Sequence, residues 1–212
     1  ELSITLAKSI KRWNKHNQVC VITDDKSKFS NENVDVVKTL KDDASFGHDI
    51  KWANEYKALA YTPFTHTIKI EADMLWTINT DWWWYHLWQH DMVFSVGCFD
   101  YRSNVIKETP YRKLFEKNYL PNIYNGLMYF RKSRKAKIFY RLAEHIVKNW
   151  EEVRKQMLYV CHDKYPSTDV VFALAQRMMD PTSRELVEYD WFKFIHHKPG
   201  FRADGKRRFI DQ

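Results

Sequence analysis

Short, continuous apolar runs separated by helix-patterned segments constrain this chain more than any other feature. Gln18–Thr23 (QVCVIT), Met92–Phe99 (MVFSVGCF) and Leu127–Arg131 are runs of the kind shown by strands covered on both faces. Val34–Val37 and Trp191–Ile195 are further strand candidates. Between them lie helical patterns. Residues 2–17 place Leu2, Leu6, Ile10 and Trp13 on one face, and residues 50–61 place Trp52, Ala53, Tyr56 and Ala60 on one side. Asn79-Thr80-Asp81 offers a cap for a helix over 82–89, and Pro110 opens a short helix to about Lys117. Ser133 caps the longest helix, 134–157, with a stripe of Phe139, Leu142, Ile146, Trp150, Val153 and Met157. Pro166-Ser167-Thr168-Asp169 starts another helix. Strand–helix alternation of this kind predicts an α/β fold, a mostly parallel sheet with helices on both faces, in one domain over 1–212.

The central strand comes from Thr65–Trp76, THTIKIEADMLW. Ile68 and Ile70 alternate with Thr67, Lys69 and Glu71, which is the period of a strand. Pro63 breaks the helix before it, and the strand runs into Glu71-Ala72-Asp73. Two carboxylates two residues apart project the same way, with a small residue between them. Such a pair can hold a hard divalent cation and leave coordination positions for phosphate oxygens. In open α/β sheets, ligands sit beyond the carboxyl ends of strands, where this pair lies. A solvated acidic turn has the same sequence.

Composition narrows the class. The chain is aromatic-rich, with 9 Trp, 12 Tyr and 13 Phe, which excludes a disordered segment. Its 3 cysteines, Cys20, Cys98 and Cys161, are odd in number and lack C-x-x-C spacing, so they read as free thiols in a reducing compartment. No apolar run is long enough to span a bilayer and no signal peptide is visible, so a cytoplasmic setting is expected. The net charge of +7 suits an anionic ligand, nucleic acid or an acidic membrane surface without choosing among them.

Four pieces line up in order: Lys57 in the helix leading to the Glu71-Ala72-Asp73 strand, Tyr124-Asn125-Gly126 before Leu127–Arg131, Ser167-Thr168-Asp169 at a helix start, and Phe194–Pro199 (FIHHKP). Together they resemble the glycogenin-like glycosyltransferases of family 8 and their GT-A-fold relatives. That family carries an Asp-x-Asp strand end, an upstream lysine, an Asn-Ser-Gly turn, an Asp-Gln pair at a helix start, and a histidine before Lys-Pro. The resemblance covers nearly the whole chain. It implies retaining transfer of a sugar from a nucleotide-diphosphate donor, with Mn2+ or Mg2+. The sequence departs from the pattern at Glu71, at Tyr-Asn-Gly, and at Val170 in place of glutamine. The family's first strand has no counterpart, so the sequence is expected to start after it.

Beside that analogy each piece has its own chemistry. Asp73 would ligate the metal, and Glu71 would take the metal or the donor ribose. His196 is the third candidate ligand, with His197 facing the other way along a strand. Lys198 would neutralise the diphosphate. Lys57 would reach the donor sugar or phosphate, or is an exposed helix lysine. Asn125 and Gly126 read as a tight turn with amides facing the sugar, or as an ordinary turn. Asp169 is a helix cap, or in the analogy positions the reacting sugar. Trp82, Trp83, Trp84 and Trp88 read as core packing or as a stacking surface for a sugar or an unpaired base.

The acceptor stays open between a glycan, lipid or protein and a modified DNA base. The basic runs Arg131, Lys132, Arg134, Lys135, Lys137 and Lys198, Arg202, Lys206, Arg207, Arg208 suit a polyanion, or are a solvated face and a tail. A viral DNA-modifying enzyme in the host cytosol fits, and so does a bacterial surface-glycan enzyme resting on anionic lipid. A non-catalytic nucleic-acid-binding domain on the same core is the alternative from another class.

Overall fold

A computed structural model describes residues 1–29, 32–45, 50–106 and 112–197. The fold is mixed α/β, and the chain divides into two compact units. Unit 1 comprises Glu1–Met92 and Tyr129–Tyr140; unit 2 comprises Val93–Met128 and Arg141–Gln212.

Unit 1 opens with α1 (Leu2–Trp13), followed by β1 (Cys20–Thr23) and β2 (Val36–Thr39). These strands pair in parallel, Cys20 opposite Val36 and Thr23 opposite Thr39. The helix ends earlier than the periodicity predicts because Asn14 leaves the helical conformation. Its side chain accepts from Thr80 N–H at 2.7 Å and donates to the Ile78 carbonyl at 3.4 Å. Asp35 fixes the start of β1: it accepts the Val19 N–H at 2.6 Å and pairs with Lys11 at 2.7 Å.

A 3-10 turn (Lys51–Lys57) and a single α-turn, α2 (Ala58–Tyr61), replace the helix expected over 50–61. β3 (His66–Ile70) and the short α3 (Trp83–Leu87) follow. Trp83 and Leu87 turn into the core of unit 1, together with Leu6, Ala7, Tyr129, Phe130 and Phe139.

Unit 2 holds most of β4 (Met92–Val96), then α4 (Lys113–Lys117) and the N-terminal two-thirds of β5 (Ile123–Arg131). β5 serves both units. Its end in unit 1 runs antiparallel beside β3, with Lys132 N–H donating to the Thr65 carbonyl at 2.8 Å. Its start in unit 2 runs antiparallel beside β4, with Gly97 N–H donating to the Asn122 carbonyl at 3.1 Å. Among the described residues the strands therefore form a parallel pair and an antiparallel set of three, and not one mostly parallel sheet.

Ser133 caps the next helix as expected, accepting the Ala136 N–H at 3.2 Å. The long helix is two helices, α5 (Arg134–Lys148) and α6 (Trp150–Met157). The break is at Asn149, whose side-chain amide donates to the His145 carbonyl at 2.9 Å, a local bond that competes with the helix. α7 (Thr168–Met179) is capped by Ser167 and is almost wholly buried from Val170 to Gln176. The last expected strand shrinks to a parallel bridge between Phe99 and Ile195.

Asn118 braces unit 2. Fully buried, it accepts from Tyr159 N–H at 2.6 Å and Val160 N–H at 3.1 Å, and it donates to the Leu114 and Val160 carbonyls at 2.7 and 2.9 Å. All four of its polar valences are thereby used, which is the condition for burying an amide without loss.

Candidate functional site

The acid pair lies in unit 1, in a turn just past the end of β3, where the Met74 N–H donates to the Glu71 carbonyl at 3.3 Å. Glu71 is half-buried and Asp73 exposed. Two carboxylates on one turn are hard oxygen donors and fit the chemistry of Mg2+ or Mn2+. Among the described residues, no three His, Cys, Asp or Glu side chains gather into a metal group.

A cavity of about 1030 Å³ opens in the same unit, and Glu71 and Lys57 line it. Lys57 stands at the end of the 3-10 turn. Its ammonium donates to the Lys41 carbonyl at 3.0 Å and to the Asp42 carbonyl, so it ties the loop after β2 to the turn before β3. Lys69 forms an ion pair with Glu55. Most of the remaining lining is apolar, including Leu6, Ile10, Val19, Ile68 and Trp76.

Asn125, Gly126, Asp169 and His196 lie in unit 2. Asn125 and Gly126 are not a turn: they sit inside β5 and are buried. The flanking Ile123, Tyr124, Leu127 and Met128 form a continuous apolar run that is covered on both faces, and this outweighs the turn preference of Asn-Gly. The structure joins Asn125 to Asp169. The Asp169 carboxylate accepts the Asn125 backbone N–H at 2.7 Å. Its other oxygen accepts from Arg112 Nη2 at 2.6 Å. The cap of α7 is Ser167, which accepts the Val170 N–H at 3.4 Å, so Asp169 is left to bind across to β5.

Arg112 is the residue that sequence reasoning missed. It lies one position before α4 and its side chain is only 6% exposed. Nη1 donates to the Ile123 carbonyl at 2.8 Å, and the guanidinium lies 3.4 Å from the centroid of the Tyr124 ring and 4.3 Å from that of Phe115. Burial pushes the Tyr124 hydroxyl well above its ordinary pKa, against the lowering effect of Arg112. Burial likewise raises the Cys98 thiol, opposed by a hydrogen bond with Tyr124. The group is a charged pair enclosed by aromatic rings, with the carboxylate clamped from two sides. A Tyr-Arg pair after a proline carries no signal of this in the sequence.

His196 N–H donates to the Phe99 carbonyl at 2.8 Å, and its ring lies 5.8 Å from Phe194. His196 is half-buried and His197 exposed. Lys198 and the basic residues Arg202, Lys206, Arg207 and Arg208 lie outside the described residues, as does Pro110.

The tryptophans divide. Trp83 is buried and Trp84 partly so, its indole N–H donating to Asn17 at 3.2 Å, while Trp82 and Trp88 are 47% and 57% exposed. The first basic run is partly engaged within the protein. Arg131 pairs with Asp91 at 2.8 Å and Lys132 donates to the Thr62 carbonyl at 2.7 Å, whereas Arg134 and Lys137 are exposed. Burial alone would raise Asp91; hydrogen bonds from Arg131 and Ser133, with the charges of Arg131 and Lys135, bring it below the usual carboxylate range.

Comparison with known protein families, characterised proteins and solved structures yields no match to this chain. No helix among the described residues is long and apolar enough to cross a membrane.

Proposed function

We propose that the chain is a metal-dependent glycosyltransferase of GT-A type. It would move a sugar from a nucleotide-diphosphate donor to an acceptor with retention at the anomeric carbon. The observation that carries this reading is the Asp169 carboxylate clamped between Arg112 and the Asn125 N–H. It ties two of the four motif pieces, 44 residues apart in sequence, into one fixed arrangement. The acid pair at the end of β3, on a turn beside a large cavity, is the second support.

In this reading Glu71 and Asp73 hold the cation, whose remaining positions go to phosphate oxygens of the donor. The bound cation supplies charge neutralisation at the diphosphate as the bond to the anomeric carbon breaks. Asp169, held by Arg112 and the Asn125 N–H, orients the donor sugar. Lys57, in the cavity lining, belongs to the donor-binding residues and acts after release of the loop carbonyls it holds. The acceptor oxygen forms the new bond from the face the diphosphate leaves, and its proton passes to the departing phosphate oxygen.

The test is a panel of nucleotide sugars incubated with the protein and Mn2+, read as release of nucleoside diphosphate, with chelator as control. Metal-dependent release from one donor is the expected result. Mass spectrometry of DNA and of glycans added to that reaction then assigns the acceptor. Release from no donor, together with donor-independent DNA binding, would replace this reading with a non-catalytic nucleic-acid-binding domain.

A further inference from the structure

Two tyrosines of unit 2 stand in solvent where the fold gains nothing from them. α4 ends in a closed turn at Asn118. The Tyr119 N–H donates to the Glu116 carbonyl at 3.1 Å, and the Leu120 N–H donates back to the Phe115 carbonyl at 2.9 Å. Phe115 and Leu120, the apolar residues that flank such a turn, are both buried. Tyr119 holds the position that glycine ordinarily takes, with φ at 53°. There any Cβ crowds the following carbonyl, a cost that glycine does not carry. The other described non-glycine residues with positive φ are Asp42, Ser103 and Ser183, all short and polar. Tyr119 recovers nothing through burial, because it is 81% exposed. Backbone strain that packing does not offset points to a use outside the fold.

The second tyrosine is Tyr159, 80% exposed, its ring 6.4 Å from that of Tyr119 and at 88° to it. Both are held from beneath. The Asn118 amide binds the backbone of Tyr159 and Val160, and Arg177 donates to the Asn118 and Met157 carbonyls, each at 2.6 Å. The rings therefore form a fixed corner open to solvent. Its place follows from the same two helices that carry the Asp169 clamp. At one end Arg112, before α4, binds Asp169 near the start of α7. At the other end Asn118, after α4, binds Arg177 near the end of α7. Asp169 and Arg177 are eight residues apart, or about 12 Å along the helix axis.

The chemistry of the corner narrows what it takes. The two segments balance their charge, Glu116 and Asp163 against Lys117 and Lys164, and Arg177 is committed to two carbonyls. Unpaired nucleic acid needs cations along its phosphates as well as rings for its bases, so this corner does not suit it. An alkyl chain would bury two phenol hydroxyls without partners. A sugar ring meets both demands. Its face of C–H groups packs against the electronegative face of a phenol ring, and its outward hydroxyls meet the two tyrosine O–H groups. We infer that Tyr119 and Tyr159 bind a neutral oligosaccharide. The inference rests on the glycosyl-transfer reading for the use of that sugar. With the foot of the corner about 12 Å along α7 from Asp169, it holds a distal unit of a glycan acceptor and not the unit that reacts.

The experiment uses the whole protein, without donor or metal, and three neutral hexasaccharides, those of β-1,4-glucose, α-1,4-glucose and β-1,4-N-acetylglucosamine. Binding is read by saturation-transfer NMR and calorimetry. At least one is expected to bind, with transfer strongest at ring C–H protons. Tyr119→Gly and Tyr159→Ser are each expected to weaken it at least tenfold. Tyr119→Gly carries a second readout. It removes the strained Cβ, so its urea midpoint should rise while its sugar affinity falls. A merely structural tyrosine would move both the same way. Binding of none of the three, undiminished binding in the double variant, or a lowered urea midpoint in Tyr119→Gly would overturn the inference. So would a thymidine oligonucleotide that binds more tightly than every hexasaccharide and loses affinity in the same variants. Because neither donor nor metal is present, a protein that transfers no sugar can still bind the hexasaccharide, and one that binds none can still release nucleoside diphosphate.

Discussion

Arg112→Met is the substitution whose cost follows most directly from the structure. Methionine keeps the aliphatic stem and removes the guanidinium. The loss includes a charge-assisted bond to Asp169, worth about 1.5–3 kcal/mol, and a bond to the Ile123 carbonyl, worth about 1 kcal/mol. Asp169 is then left with the Asn125 N–H and without its counter-charge, at a side chain only 18% exposed. Breaking one side of such a pair costs about 3–5 kcal/mol in total. Asp169→Asn keeps an oxygen for the Asn125 N–H and should cost less, about 1.5–3 kcal/mol. Both changes remove the same contact, so the double variant should fall short of the sum by about 1.5–3 kcal/mol. Urea unfolding measures the three variants. Exchange at the Asn125 amide reports this site separately from unit 1. A cost for Arg112→Met below about 1 kcal/mol, or strict additivity in the double variant, would refute the view that this pair holds α7 to β5.

The remaining expectations are more local. Asp73→Ala should abolish Mn2+-dependent nucleotide binding in calorimetry; undiminished binding in that variant removes the metal assignment. Asn118→Leu loses four hydrogen bonds and leaves their backbone partners unmatched, so urea unfolding should show a loss of roughly 3 kcal/mol or more. Burial, then the charge of Arg131, holds the His66 imidazole below its usual pKa, beside the Tyr129 hydroxyl at 2.7 Å. His66 therefore stays neutral in the folded protein while the unfolded chain protonates near pH 6.5, and its contribution to stability is lost as pH falls from there toward the folded value. An imidazole titration by NMR should give a depressed midpoint for His66; a raised midpoint contradicts the packing described for it.

Local signals in the sequence survived into the structure where the competing interactions were also local. Ser133 caps the helix it was expected to cap, and the acid pair follows a strand, while α7 starts where expected but is capped by Ser167 and not by Asp169. The reading failed where a distant residue decides the outcome. Asn125-Gly126 carries a strong turn signal, yet Asp169, 44 residues away, takes the Asn125 N–H and the dipeptide is buried in β5. Helix periodicity runs unbroken through Asn149, because a hydropathy stripe does not register a side-chain amide turning back on the His145 carbonyl. Arg112 had no sequence signature at all. Its significance lies in what surrounds it, a carboxylate, a carbonyl and two rings from separate parts of the chain.

The structure also sharpens the question of the acceptor. Of the first basic run, Arg131 pairs with Asp91 and the Lys132 ammonium donates to the Thr62 carbonyl, so two of its cations are already engaged within the protein. If DNA is the acceptor, the phosphate contacts fall to Arg134, Lys135 and Lys137. Each contact released contributes about 0.9 to the slope of log binding constant against log salt. Arg134→Gln with Lys135→Gln should therefore lower that slope by up to about 2, while donor hydrolysis is unchanged. Trp82 gives an independent measure. Its ring is 47% exposed, whereas Trp83 beneath it is 5% exposed and belongs to the core. Stacking on an unpaired base is worth about 1–3 kcal/mol, so Trp82→Ala should weaken single-stranded DNA binding roughly 5- to 150-fold without unfolding the protein. Trp83→Ala should instead destabilise the fold. An unchanged salt slope together with unchanged DNA affinity in Trp82→Ala would exclude DNA as the acceptor and leave the exposed rings to a sugar face.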